Sequence, residues 1–99
     1  MKDAPVLYRT DYIDENWKTL FFSCNGAKYA CEIKHFSEPS IFGIGGFGKI
    51  SKMFLTRLPD VSGPFDFSSC IIVYDRGWCK KPRTQAAKNI FNIVCEKYN

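Results

Sequence analysis

Histidine is almost missing from this sequence: His35 is the single copy, and it ends a predicted strand beside Phe36. General acid–base catalysis draws on histidine or on paired carboxylates held in a cleft. With one histidine, and with Asp11, Asp14 and Glu15 in a turn-prone stretch, no Ser–His–Asp, Cys–His or clustered-carboxylate site can be assembled. The chain is therefore expected not to be an enzyme, and His35 is expected to be structural. Long apolar runs are also lacking. Nothing approaches the ~20 residues that cross a bilayer, and the opening Met-Lys-Asp-Ala-Pro-Val has no apolar signal region, so no membrane contact and a cytoplasmic location are expected. Cys-x-x-Cys pairs are absent. The five cysteines (Cys24, Cys31, Cys70, Cys79, Cys95) form an odd set that reads as buried or free thiols in a reducing compartment. The nearest approach to zinc spacing, Cys31-x-x-x-His35, has no second ligand pair, so neither a metal nor another cofactor is expected.

What the chain does have is apolar bulk and an uneven charge. Its 99 residues, 45% hydrophobic and 16% aromatic, specify a folded chain rather than a disordered one. With no repeats or linkers, residues 1–99 are expected to form one domain. Residues 1–48 carry five Lys/Arg and six Asp/Glu, a net of −1; residues 49–99 carry nine and four, a net of +5. The densest basic stretch is Arg76, Lys80, Lys81 and Arg83. Such a stretch is either a solvated face or a patch that meets phosphate or an acidic protein surface.

Strand and turn signals dominate. Val6 to Thr10 is a short strand candidate. Trp17 to Cys24, then Asn25-Gly26, then Ala27 to Phe36 is a hairpin, because a two-residue type I′ turn needs positive φ at both centres and Asn-Gly supplies it. The turn sets the register: Cys24 opposite Ala27, Phe22 opposite Tyr29, Leu20 opposite Cys31, Lys18 opposite Ile33. One face then holds Leu20, Phe22, Cys24, Ala27, Tyr29, Cys31 and Ile33. On that face Cys24 and Cys31 are about 13 Å apart at ~3.3 Å per residue, too far to bridge. Residues 49–58 alternate as a strand does, although Ile50, Met53, Phe54 and Leu58 also stripe a short helix; the strand is favoured. Pro59 to Asp66 reads as a turn, Phe67 to Tyr74 as a central strand, and Asp75-Arg76-Gly77 as its end. Thr84 caps a helix over 85–98 whose Ala87, Ile90, Phe91, Val94 and Tyr98 share one stripe. The fold expected is α+β: an antiparallel sheet of four or five strands with one C-terminal helix across its apolar face.

The stretch "GIGGFGKIS" at 43–51 imitates two nucleotide motifs. Gly43, Gly45 and Gly48 fit the dinucleotide fingerprint, and Gly48-Lys49 comes within one residue of a phosphate-binding loop. That loop, however, needs a strand leading into a helix N-terminus with a hydroxyl directly after the lysine. Ile50 occupies that place, and the flanking elements read as antiparallel strands. The glycines are expected to serve the backbone, with Ile44 and Phe47 either at an exposed tip or folded onto the core.

Three blocks carry a resemblance: Glu38-Pro39-Ser40-Ile41-Phe42-Gly43-Ile44, then Gly48-Lys49-Ile50-Ser51-Lys52-Met53, then Tyr74-Asp75-Arg76-Gly77-Trp78. Together they resemble a family of small phage and prophage proteins without assigned function, over about residues 36–98, with the first hairpin outside the match. This chain departs by adding Gly45, Gly46 and Phe47 and by placing Cys79 after the tryptophan. The resemblance implies a phage-related origin and a host cytoplasm, and brings no catalytic residues. The expected function is a small non-catalytic protein that binds and blocks a host macromolecule, a host protein or protein–nucleic-acid complex such as a defence or CRISPR assembly. The alternative is a nucleic-acid or nucleotide module working through the basic, aromatic C-terminal half. Candidate contact residues are Arg76, Trp78, Lys80, Lys81, Arg83, Phe47, Lys49 and Lys52. Arg and Trp are frequent binding hot spots, and the lysines suit phosphate.

Overall fold

The computed structural model describes residues 4–58 and 70–99. Six strands form one sheet in chain order, each antiparallel to the next: β1 (Val6–Tyr12), β2 (Trp17–Cys24), β3 (Ala27–His35), β4 (Ile50–Leu58), β5 (Cys70–Asp75) and β6 (Trp78–Lys80). One helix, α1 (Gln85–Tyr98), follows. The α+β class and the terminal helix are as expected, but the strand count of four or five is corrected to six. The missed strand is β6. Asp75-Arg76-Gly77 ends β5 and also reverses the chain, with Arg76 in the left-handed region at φ 56°, so that Trp78 pairs with Tyr74. A three-residue strand after so short a turn leaves no periodicity to read. The expected turn over 59–66 and the start of the strand at Phe67 lie outside the described residues.

The Asn-Gly turn forms with both residues at positive φ, Asn25 at 52° and Gly26 at 78°. It sets the register that the sequence implies, from Cys24 opposite Ala27 to Lys18 opposite Ile33. Leu20, Phe22, Cys24, Tyr29, Cys31 and Ile33 are buried on one face. Residues 50–58 are a strand whose Met53 and Leu55 join that face. Onto it packs α1, its first turn closed by the Thr84 Oγ1 accepting from the Ala87 N–H at 3.1 Å. Ala87, Ile90 and Val94 are buried at that contact. Each large aliphatic side chain removed from water there stabilises the fold by about 1.5–3 kcal/mol.

The opposite face is less solvated than its alternation suggests. Thr19, Ala30, Phe54, Thr56, Cys70 and Val73 are all buried there, and Trp17 packs on Phe54, Cys70 and Val73. Its two ends are different. They carry exposed charges and aromatic rings, and one of them holds the candidate site.

Candidate anion-binding cleft

A row of side chains crosses four strands at one end of this open face. The pairing sets Trp17 opposite Lys34, Lys34 opposite Lys52, and Lys52 opposite Asp75. Opposed residues stand only ~4.5–5.5 Å apart at Cβ, and like charges in that relation repel. Lys34 and Lys52 are such a pair. Asp75 serves Lys52, with Oδ1 3.4 Å from its Nζ, and Arg76 Nε lies 3.9 Å from the same oxygen. That oxygen is screened from solvent and receives no hydrogen bond among the described residues. Lys34 has no carboxylate within 4 Å among the described residues; its ammonium lies 5.6 Å above the Trp17 ring and 5.5 Å from the Phe36 ring. The Arg76 guanidinium sits 5.9 Å over Phe42. Lys34, Phe36, Phe42, Lys52 and Arg76 line an open cleft of about 360 Å³ that Ser40 and Ser51 complete. The lining carries three cations and no carboxylate; Asp75 stands beside Lys52, and the Asp14 carboxylate also feels the Lys34 charge.

The glycine loop builds one wall. It joins the neighbouring antiparallel strands β3 and β4 and runs straight into a strand, so no helix N-terminus is offered to a phosphate at Lys49. Its glycines serve close approach and turning: a Cβ on Gly43 would overlap the Gly48 carbonyl, and Gly45 stands at φ 84°. Ser40 N–H donates to Gly48 O at 3.0 Å, and Tyr74 Oη donates to Phe42 O at 2.8 Å. Asn99 clamps the loop to the helix end, accepting from Ile50 N–H at 3.0 Å and donating to Ile44 O at 3.1 Å. Of the two apolar residues expected at the tip, Ile44 folds into the core and only Phe47 is exposed.

The eight contact residues inferred from sequence fall into separate places. Lys52 and Arg76 meet in the cleft. Trp78 packs edge-on to Tyr74 at 5.1 Å and lies 5.4 Å from Phe91 of the helix, so much of its surface is structural. Lys80, Lys81 and Arg83 line a second hollow at the start of α1, where Lys80 Nζ donates to Cys70 O at 3.2 Å. Phe47 and Lys49 are exposed on the glycine loop. Sequence reasoning missed Lys34, Phe36 and Phe42. The register of the first hairpin already put Lys34 on the open face, but its meeting with Lys52 depends on how the long β3–β4 connection closes.

On the helix side His35 stacks on Tyr98, ring centroids 5.0 Å apart, and its Nε2 lies 2.6 Å from Lys18 Nζ. Burial, then the Lys18 charge, holds its pKa below the ordinary histidine value, so the neutral ring accepts from the ammonium. No disulfide joins the five cysteines: Cys24, Cys31 and Cys70 are buried, Cys95 is half-buried and Cys79 exposed. Burial raises the Cys31 thiol strongly and pushes Cys95 up to about 11, which keeps both protonated and unreactive. Among the described residues no group of three His, Cys, Asp or Glu side chains is placed to hold a metal ion, and no helix is long and apolar enough to cross a membrane.

A family model described as a domain of unknown function, DUF7678, matches residues 16–99. The match takes in β2 to β6 and α1, so the first hairpin lies inside it, contrary to the extent inferred from sequence, and β1 lies before it. No curated protein and no solved structure matches the chain.

Proposed function

We infer a binding role for this chain, which belongs to the DUF7678 family of domains of unknown function. It acts without turnover, by covering a surface of a host protein or protein–nucleic-acid complex, as a small phage-type protein that blocks a host defence assembly does. The observation that carries the reading is the Lys34–Lys52 pair. Two lysines set directly opposite each other, with one carboxylate on the far side of Lys52 only, are disfavoured in the free protein and relieved by an acidic or phosphate-bearing partner. Cations and exposed aromatic rings side by side are also what binding hot spots use.

The experiment is affinity capture from host lysate with the wild-type chain, Lys34→Glu/Arg76→Glu, and Lys80→Glu/Lys81→Glu/Arg83→Glu. The expected result is a partner lost with the first variant. A partner retained in full by that variant, while both variants fold, rules out the cleft as the contact surface.

A further inference from the structure

We propose that the cleft between β3, β4 and the β5–β6 turn is a binding site for single-stranded nucleic acid, its cations holding backbone phosphates and its two phenylalanines stacking on bases. This names the partner class of the binding role inferred above and rests on it. Four observations converge. Lys34 and Lys52 oppose each other with Asp75 beside Lys52 alone, and the cleft's three cations, Lys34, Lys52 and Arg76, match three backbone phosphates. Phe36 and Phe42 are 38% and 49% exposed beside those cations, and an aromatic face that stacks on any base is what sequence-tolerant strand binding uses. Arg76 is held in the left-handed backbone region at φ 56°, where glycine would sit without strain; strain of this kind collects where a side chain has a task. The turn thereby delivers the guanidinium over Phe42 and into the cleft.

The fourth observation is at the other end of the same face. There Arg9 lies 5.2 Å over the Phe21 ring while its Nε donates to Asp11 Oδ1 at 2.8 Å, Tyr8 meets Phe21 tilted at 6.3 Å, and Lys28 lies 5.5 Å from the Tyr8 ring. Lys28 and Lys34 share β3 six residues apart, about 20 Å at ~3.3 Å per residue. A strand laid between the two groups spans several nucleotides, comparable with the ~4–16 that one OB fold covers. A duplex would keep its base faces stacked away from the phenylalanines, so the unpaired strand is the ligand expected.

The test is fluorescence anisotropy with a labelled ten-nucleotide oligo-dT, the matching duplex, and an acidic phosphopeptide, using the full chain. Three phosphate contacts give a slope of about −0.7 × 3 in log affinity against log salt, so affinity should fall about 20-fold between 50 and 200 mM salt. Lys34→Gln/Arg76→Gln should flatten this to about 3-fold. Phe36→Ala and Phe42→Ala should each weaken binding at least 5-fold and leave the slope unchanged. Lys81→Gln, outside the cleft, reports on charge alone and should do little, and circular dichroism confirms that each variant folds. Absence of oligo-dT binding at 50 mM salt overturns the inference. So does a salt slope indifferent to the Lys34/Arg76 change, or tighter binding of the duplex or the phosphopeptide. If oligo-dT fails while lysate capture still depends on Lys34 and Arg76, the nucleic-acid assignment falls and the binding role stands; if both fail, both fall.

Discussion

Replacing Arg76 by glycine and by alanine separates its backbone from its side chain. Both variants delete the guanidinium contact with Phe42 at 5.9 Å and the 3.9 Å approach to Asp75. These exposed interactions are worth about 0.5–1 kcal/mol and about 0–1 kcal/mol. They cancel when the two variants are compared with each other. What remains is the conformation. At φ 56° an alanine Cβ crowds the following carbonyl at a cost of roughly 1–2 kcal/mol, whereas glycine is unstrained but loses about 0.5–1 kcal/mol more chain entropy on folding. Arg76→Gly should therefore be more stable than Arg76→Ala by about 0.5–1 kcal/mol. For a domain of this size that is a melting difference of roughly 2–8 °C, at ~4–8 °C per kcal/mol, and it can be read by differential scanning calorimetry and urea unfolding. Oligonucleotide affinity should fall equally in both, since neither has a guanidinium. If Arg76→Ala melts at or above Arg76→Gly, residue 76 is not in the left-handed region, and the case for a strained, purposeful arginine fails.

Three further outcomes are expected. Asn99→Ala removes one bond to Ile50 N–H and one to Ile44 O, at about 0.5–1.5 kcal/mol each, and should lower the unfolding free energy from urea titration by that sum while leaving far-ultraviolet dichroism unchanged. The pKa of His35 is depressed in the folded chain, so the unfolded state binds the proton more readily; the stability that the neutral ring contributes is complete above about pH 6.5 and drains away as pH falls below it, and a melting series from pH 7.5 to 5.5 should show a decline that His35→Gln flattens. In thiol labelling of the native protein, exposed Cys79 should react first, half-buried Cys95 slowly, and Cys24, Cys31 and Cys70 only on unfolding; rapid labelling of all five would contradict the packing of the sheet.

Local chemistry was legible, and chain closure was not. Asn25-Gly26 fixed a register that the structure reproduces pair for pair, because a type I′ turn leaves no freedom in what faces what. Thr84 and the apolar stripe set α1 at Gln85–Tyr98 for the same reason: cap and period are both short-range. The short β6 was missed because three residues show no alternation, and Arg is an unusual choice for a left-handed turn position. Basic density along the chain suggested one surface built from residues 76–83. The sheet separates them instead, since Arg76 belongs to a turn at the cleft while Lys81 and Arg83 precede the helix. Lys34, 18 positions before Lys52 in sequence, faces it only because the glycine loop folds back through Ser40, Gly43 and Gly48. No linear window contains that meeting.

Lys34 and His35 are consecutive, and the sheet presents two answers to one electrostatic problem there. On the helix side an ammonium, Lys18, is 2.6 Å from a titratable ring, and the conflict is settled internally because imidazole can give up its proton near neutral pH. On the open side Lys34 faces another lysine. Two like-charged side chains set opposite each other repel, and Asp75, on the far side of Lys52, is the one carboxylate within 4 Å of either of them among the described residues. Aromatic faces from Trp17 and Phe36 soften the charge on Lys34 without neutralising it. A surface with no need of a partner would place a carboxylate at position 34, opposite Lys52 and Trp17, because a cross-strand Lys–Glu pair is favourable where Lys–Lys is not, whereas a carboxylate at 52 would face Asp75. Lys34→Glu should therefore leave the β3–β4 pairing intact while abolishing anion binding; a variant that folds and still takes up oligo-dT with an undiminished salt slope would remove the electrostatic basis of the site.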